Sequence, residues 1–113
     1  MTASLNSSKS FNDSLQPRVV RVEKDLEQLV KRFLKRQEGG LQRMQGALTT
    51  GDFETIQRFG HDLKGAGELF GFPELSILGA RLELAAEAGD AELLITHIAS
   101  MERYLERLQL RFD

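Results

Sequence analysis

Residues 60–71 read GHDLKGAGELFG and place one histidine and four glycines in a stretch whose apolar residues recur with helical spacing. A glycine in a helix interior costs about 1 kcal/mol relative to alanine, so several of them should weaken a helix unless another backbone comes close. The stretch therefore predicts a helix whose backbone is closely approached by another backbone.

The helix that contains this stretch is predicted to begin at Phe53 and to end at Gly71. Its periodic apolar residues are Phe53, Ile56, Phe59, Leu63, Ala66 and Phe70. Before it, Gly51 can adopt the left-handed conformation that ends a helix, and Asp52 can cap the next one. After it, Pro73 cannot lie inside this helix but suits the first turn of another.

Two more helices are predicted downstream. The first carries apolar residues at helical spacing, namely Leu75, Leu78, Leu82 and Ala85. Gly89 and Asp90 repeat the stop-and-cap signal. The last helix follows them, with apolar spacings of three and four throughout: Ala91, Leu94, Ile98, Met101, Leu105 and Leu108.

Upstream, a helix is predicted from Val19 to about Gln37, because apolar residues recur there at spacings of three and four: Val19, Val22, Leu26, Leu29 or Val30, and Phe33. Gly39 and Gly40 then interrupt the pattern, and Leu41, Met44 and Leu48 resume it. This segment is either a bent helix or two helices. Residues 1–17 are rich in Ser and Asn and predict a flexible leader, which leaves 18–113 as the helical domain.

No alternating strand pattern is recognised in the chain, so the predicted class is all-α. Short loops between long helices force neighbours to run in opposite directions. The expected fold is an antiparallel up-and-down four-helix bundle with an additional N-terminal or bent helical segment.

Composition limits the functions that are open to the chain. Its 113 residues, 41% hydrophobic and 28% charged, describe one domain. A net charge of −2 gives no general attraction for nucleic acid, and the absence of cysteine excludes a disulfide framework. No run approaches the ~18 apolar residues of a membrane span, and the N-terminus lacks the apolar core of a signal peptide. We expect a cytoplasmic protein, and a monomer, since four helices can close a core unaided.

At about 100° per residue, Gly60 and Gly67 fall on the buried side of their helix, where a missing side chain allows close packing. Gly65 lies on the outward face with His61. The same face carries Glu54, Gln57, Arg58, Lys64 and Glu68. An exposed glycine beside an exposed histidine predicts that a second protein docks there.

The chemistry of His61 suggests what that contact does. An exposed imidazole has a pKa near 6.5, so a neutral ring nitrogen is available as a nucleophile at cellular pH. Phosphoryl transfer spreads charge over the equatorial oxygens, and the ammonium of Lys64, three residues on, can stabilise that charge.

Residues 61–71 resemble the H-x-L-K-G-x-x-x-x-x-G motif of histidine-containing phosphotransfer (HPt) domains, through His61, Leu63, Lys64, Gly65 and Gly71. The following GFPELSILGARLE, residues 71–83, is similar to them too, and to the phosphotransfer domain of chemotaxis histidine kinases. The resemblance covers roughly Val22 to Leu108. It implies a carrier that takes a phosphoryl group from a receiver-domain aspartate or a sensor kinase and hands it to another receiver.

The resemblance also implies a role for Glu83, whereas the roles considered for Glu68, Gln57 and Arg58 follow from their position on the exposed face. Glu83, in Arg81-Leu82-Glu83, matches a glutamate that in the chemotaxis relatives hydrogen-bonds the second histidine nitrogen and so fixes its tautomer. Glu68 either repels a phosphoryl group or contacts a basic partner. Gln57 and Arg58 are either partner contacts or ordinary surface residues. The Mg²⁺ and ATP sites would belong to the partners, so the chain is predicted to be a phosphocarrier without a cofactor, and not an enzyme.

Other interpretations were weighed for the same residues. A lone helix histidine is usually a surface residue, which is the interpretation kept for His97. A metal site is disfavoured, because the two histidines have no H-x-x-x-H spacing. The alternative function is a helical adaptor that binds a receiver or kinase and is not phosphorylated.

Overall fold

The computed structural model describes residues 17–113, so most of the leader predicted for residues 1–17 lies outside the described part of the chain. The elements in chain order are β1 (Arg18–Val22), a 3-10 turn (Lys24–Leu26), α1 (Glu27–Thr50), α2 (Phe53–Phe70), α3 (Pro73–Glu87), α4 (Ala91–Arg107) and β2 (Leu108–Phe112). The domain is mostly helical with four main helices, as predicted.

The predicted helix ends are confirmed where a cap was recognised. Gly51 and Gly71 adopt left-handed conformations, with φ of 74° and 83°, immediately after α1 and α2. Asp52 accepts a hydrogen bond from the Thr55 amide at the start of α2, and Asp90 accepts one from the Leu93 amide at the start of α4. Pro73 opens α3. These caps satisfy amides and carbonyls that a helix end leaves without intrahelical partners.

Gly39 and Gly40 do not interrupt α1, which runs unbroken through both. The reason lies in tertiary packing. Gly40 is buried, and a Cβ atom added to it would overlap the ring of Phe59 on α2. The glycine thus gives space to a neighbouring helix while the backbone of α1 stays regular.

The predicted helical start at Val19 is wrong, and the mostly helical domain carries a short strand at each end. Residues 18–22 form β1, which pairs in parallel with β2, from Arg18 opposite Leu108 to Val22 opposite Phe112. Helix α4 accordingly ends at Arg107, and Leu108 belongs to the strand. The inward side chains of both strands pack against the helices, namely Val20, Val22, Leu108, Leu110 and Phe112.

One hydrophobic core joins the four helices and β1. Its largest fully buried side chains are Phe72, Met44, Ile56, Leu63, Leu75, Leu82, Leu94, Met101 and Val30. Phe33 stacks on Phe70 with ring centroids 4.8 Å apart and lies 5.9 Å from the ring of Phe72. The phenylalanines of this region therefore serve in packing.

Helices α2 and α3 form the most extensive helix contact, and glycines make it possible. A Cβ atom on Gly60 would lie 2.7 Å from the Gly79 carbonyl oxygen, and one on Gly67 would lie 2.6 Å from the Ser76 amide nitrogen. The predicted burial of Gly60 and Gly67 is confirmed. Gly79 is the α3 counterpart, because a Cβ atom there would lie 2.5 Å from the Lys64 amide nitrogen. This close approach carries α3 side chains to the outer face of α2.

Candidate functional site

His61 lies on the outer face of α2 and is linked to α3 by one hydrogen bond. Its Nδ1 atom is 2.9 Å from Oε2 of Glu83, and 65% of its side chain is exposed. Glu83 is much less exposed, at 16%. The carboxylate therefore holds the inner side of the imidazole ring while the rest of the ring faces solvent.

Lys64 binds the other oxygen of the same carboxylate. Its Nζ atom donates a hydrogen bond of 3.1 Å to Oε1 of Glu83, and nearly half of its side chain is exposed. Glu83 thus bridges the imidazole and the ammonium group. The hydrogen bond from Lys64 holds the pKa of the Glu83 carboxyl below its ordinary value, in opposition to desolvation, and the bond to His61 lowers that pKa further.

This arrangement determines which imidazole nitrogen is free to react. An ionised carboxylate only accepts hydrogen bonds, so Nδ1 of His61 must carry the proton that it shares with Glu83. In the neutral ring the lone pair is then on Nε2. The site therefore presents Nε2 of His61 as a nucleophile. The carboxylate of Glu83 can balance positive charge that develops on the ring, and the ammonium of Lys64 is hydrogen-bonded to the same carboxylate.

Gly65 and Glu68 share the exposed face with His61. A Cβ atom added to Gly65 would meet no atom within 4 Å, so no neighbouring helix of the domain requires a glycine at this position. The sequence-based expectation that Gly65 faces outward is confirmed. Glu68, one residue after the buried Gly67, is also exposed.

The other two predicted contact residues lie toward the start of α2 and are engaged by carboxylates. Gln57 donates a hydrogen bond of 3.1 Å to Glu87 of α3, and Arg58 pairs with Glu54 at 3.0 Å. Together with His61 they line an open groove of about 570 Å³ between α2 and α3. This side of the site is rich in carboxylates, because Glu54, Glu83 and Glu87 all line the groove.

His97 lies on α4, apart from these residues. Burial lowers its pKa from the ordinary value, the positive charge of Arg81 lowers it further, and Asp90 opposes the shift. The imidazole of His97 is half-buried, whereas that of His61 is exposed and accessible to a partner.

The resemblance already implies a hydrogen bond between Glu83 and His61, and the structure contains one. The hydrogen bond between Lys64 and the same carboxylate is not contained in the sequence pattern. The action of Lys64 on a phosphoryl group stays a prediction, and the structure adds that its ammonium donates a hydrogen bond to Glu83. Glu87 was not singled out at all. The spacing of four between Glu83 and Glu87 puts both on one face of α3, and that spacing could have revealed it.

Neither a membrane span nor a metal cluster is found in residues 17–113. None of their helices combines the length and the apolar character needed to cross a bilayer. No three His, Asp or Glu side chains in that stretch come together as metal ligands would.

Comparison with known proteins agrees with this geometry. The search of curated proteins returned no match, and neither did the search of solved structures. The family model described as "Hpt domain" matches residues 28–110, which include all four helices except the first residue of α1. This match covers most of the chain and implies a phosphotransfer role in a phosphorelay. The chain belongs to the Hpt domain family.

Proposed function

We propose that this protein is a phosphocarrier in a multistep phosphorelay and that His61 is its phosphoacceptor. The observation that best supports the proposal is the hydrogen bond between Nδ1 of His61 and Glu83, which leaves Nε2 exposed and unprotonated in the neutral ring. The partners are a sensor kinase and the receiver domain of a response regulator. The protein acts in the cytoplasm as a monomer, without nucleic acid or membrane.

The transfer step is a reversible displacement at phosphorus. The lone pair of Nε2 forms the N–P bond while the bond from phosphorus to the carboxylate oxygen of the receiver aspartate breaks, and the electron pair leaves with that carboxylate. The imidazole ring gains positive charge, which the carboxylate of Glu83 compensates through Nδ1–H. In the return step the N–P bond breaks and a receiver aspartate takes the phosphoryl group.

Lys64 has two tasks in this proposal. Its hydrogen bond keeps Glu83 ionised, since that bond favours the charged form of the carboxyl. Its ammonium also places positive charge beside the path of the phosphoryl oxygens. In this proposal the partners contribute the ATP site and the Mg²⁺ site.

The remaining exposed residues are assigned to docking. Gly65 leaves open space one turn from His61, so that a receiver can bring its aspartate close to Nε2. The same face of α2 carries three further residues that contact the receiver around its reactive aspartate, namely Gln57, Arg58 and Glu68. The helices are arranged as an antiparallel up-and-down bundle, which is supported by the contacts of α2 with α3: Gly60 lies near Gly79, and Gly67, further along α2, lies near Ser76, further back on α3.

Phosphoryl transfer from a partner provides the test. The full chain is incubated with a sensor kinase, a receiver domain and ATP labelled in its γ-phosphate, and the label on the chain is followed. An acid-labile, alkali-stable label that is absent from His61→Gln supports a phosphohistidine carrier. Stable binding of the receiver with no label on the chain at any time would instead establish the adaptor function.

A further inference from the structure

A second groove lies on the opposite side of α2 from the carboxylate-rich groove. It has a volume of about 210 Å³ and runs between α1 and α2. Arg36 and Arg43 of α1 line it together with Asp62 and Ala66 of α2. We call it the arginine groove. It reaches the phosphoacceptor region directly, because Asp62 follows His61 in the chain.

The backbone of α1 fixes where the two arginines stand. Gly40 packs against Phe59, because a Cβ atom added to it would overlap this ring, and Phe59 lies two residues before His61 in the chain. Arg36 precedes Gly40 by four residues and Arg43 follows it by three, so the arginines flank the contact by one turn on each side. Their separation along the helix axis is about 10 Å at 1.5 Å per residue. Two guanidinium groups therefore line the groove on a rigid helix.

These cations are not used within the domain. Among residues 17–113 neither Arg36 nor Arg43 forms an ion pair or a side-chain hydrogen bond. Asp62 is the single carboxylate that lines the arginine groove, and the floor is apolar, with Phe59, Ala66 and Phe70. The groove therefore combines net positive charge with a partly exposed aromatic surface.

The two sides of His61 thus differ in charge. The groove toward α3 is lined by three carboxylates and one cation, namely Glu54, Glu83, Glu87 and Arg58. The groove toward α1 is lined by two cations and one carboxylate, namely Arg36, Arg43 and Asp62. A protein that docks over His61 with a negatively charged rim is repelled on the first side and attracted on the second.

We propose that the arginine groove orients the receiver domain, whose acidic rim binds over Arg36 and Arg43 while its aspartate reaches Nε2 of His61. This inference rests on the proposed function. A receiver that transfers phosphate from an aspartate with Mg²⁺ must hold that hard cation with carboxylate oxygens, so negative charge surrounds its reactive aspartate. That charge complements the two guanidinium groups, and the apolar floor accommodates a side chain from the receiver.

The test measures initial rates of transfer from phosphorylated receiver to the chain as a function of receiver concentration. Arg36→Glu/Arg43→Glu should raise KM on the order of tenfold or more and change kcat little, because the arginines act in docking and do not touch phosphorus. The wild-type rate at low receiver concentration should fall as salt is added, and the double variant should lose most of that salt dependence. Arg36→Gln/Arg43→Gln should give an intermediate KM.

Arg103→Glu/Arg111→Glu is the matched control, since it reverses two exposed arginines, one on α4 and one on β2, and changes the net charge by the same amount. It should leave KM and the salt dependence as in the wild type. A KM for Arg36→Glu/Arg43→Glu equal to that of Arg103→Glu/Arg111→Glu would overturn the orienting role of the groove. Label that still reaches His61 at saturating receiver in the double variant keeps the carrier function intact, whereas a wild-type chain that is never labelled defeats the carrier function itself.

Discussion

Glu83 lies 22 residues after His61 in the chain, yet its carboxylate is 2.9 Å from the imidazole Nδ1 atom. The two side chains meet because glycines on both helices let the backbones of α2 and α3 come close, at Gly60, Gly67 and Gly79. The hydrogen bond of His61 therefore depends on helix packing at residues other than the histidine. Each element of this arrangement can be tested separately.

His61→Gln should abolish phosphorylation and leave the melting temperature nearly unchanged. The side chain is 65% exposed and packs against little, so its loss removes the nucleophile without opening a cavity. Labelling with kinase, receiver and ATP measures the first effect, and thermal denaturation followed by circular dichroism measures the second. His97→Gln is the control and should be labelled as fully as the wild type.

Glu83→Gln should slow transfer on the order of tenfold or more, and Glu83→Ala should slow it further. The amide oxygen of glutamine can still accept a hydrogen bond from Nδ1, but it cannot balance the charge that the ring gains. Single-turnover transfer from a phosphorylated receiver gives both rates. Equal rates for Gln and Ala would mean that orientation of the ring contributes nothing.

At pH values below the ordinary pKa of a glutamate, the free energy of unfolding should also depend on the ionisation of Glu83. The folded-state pKa of Glu83 is lowered from 4.5, so in this range the unfolded chain binds more protons than the folded one. The contribution to the free energy of unfolding is complete above pH 4.5 and is lost as the pH falls through the lower folded-state pKa. Denaturant titrations between pH 3 and pH 6 should show a flatter pH dependence for Glu83→Gln than for the wild type. Glu102→Gln, on the exposed surface of α4, shows what an ordinary surface carboxylate contributes.

Lys64→Ala should slow phosphoryl transfer by roughly ten- to a hundredfold, which corresponds to about 1 to 3 kcal/mol in the barrier. Receiver binding, measured by titration calorimetry, should stay close to the wild-type value, because the ammonium acts on charge within the site. Since Lys64 and Glu83 are bonded, the double variant Lys64→Ala/Glu83→Gln should lose less than the product of the single effects. Strictly multiplicative losses would show that the two residues act independently.

Gly65→Gln should raise the melting temperature and slow transfer at the same time. Glutamine is a better helix former than glycine, and its Cβ meets no atom within 4 Å, so a gain of several tenths to about 1 kcal/mol is expected. The new side chain occupies the space through which a receiver must approach, and a misplacement of about 1 Å can cost roughly a hundredfold.

Gly67→Ala provides the contrast to Gly65→Gln, because the two glycines stand two residues apart on opposite faces of α2. An added Cβ at Gly67 would lie 2.6 Å from the Ser76 backbone, so we expect a loss of about 1 to 3 kcal/mol from overpacking. Thermal melts of both variants test whether Gly65 faces solvent and Gly67 faces α3. A lower melting temperature for Gly65→Gln would mean that Gly65 packs inside the domain and that the docking surface lies elsewhere.

Helices α2 and α3 and most of α4 could be predicted from the sequence because the signals that define them are local. Asp52 and Asp90 cap their helices through amides three residues away, and Gly51 and Gly71 end helices by their own backbone conformation. Such interactions are contained in a window of a few residues. Gly40 is the opposite case, since its neighbour is Phe59 on another helix and the local pattern suggested a break.

The strand pair could not be predicted in the same way. Residues 108–112 read LQLRF and alternate in polarity, but the helical spacing of α4 continues through Leu105 to Leu108 and masks the change of period. Val19 and Val22 likewise fit a helical spacing of three, although Val20 and Val22 are the residues that face the core. What decides the strand is its pairing with a segment at the far end of the chain, and no local window contains both.

In the candidate site, the face that carries His61 could be predicted from the sequence better than the contacts around it. His61, Lys64 and Gly65 lie within one turn and a half of α2, so helical geometry alone puts them on one face. The bridging position of Glu83 and the placement of Arg36 and Arg43 along one groove arise from contacts among three helices. Those relationships require the packed structure.

The parallel pairing of β1 with β2 has a mechanical consequence. Because Arg18 lies opposite Leu108 and Val22 opposite Phe112, a force applied to Pro17 and Asp113 pulls the strands lengthwise past each other. All of the hydrogen bonds between the strands bear that load together, instead of opening one after another from an end. The strand pair acts as a shear clamp, so a tether that stretches the domain between Pro17 and Asp113 meets its greatest resistance before any helix begins to unravel.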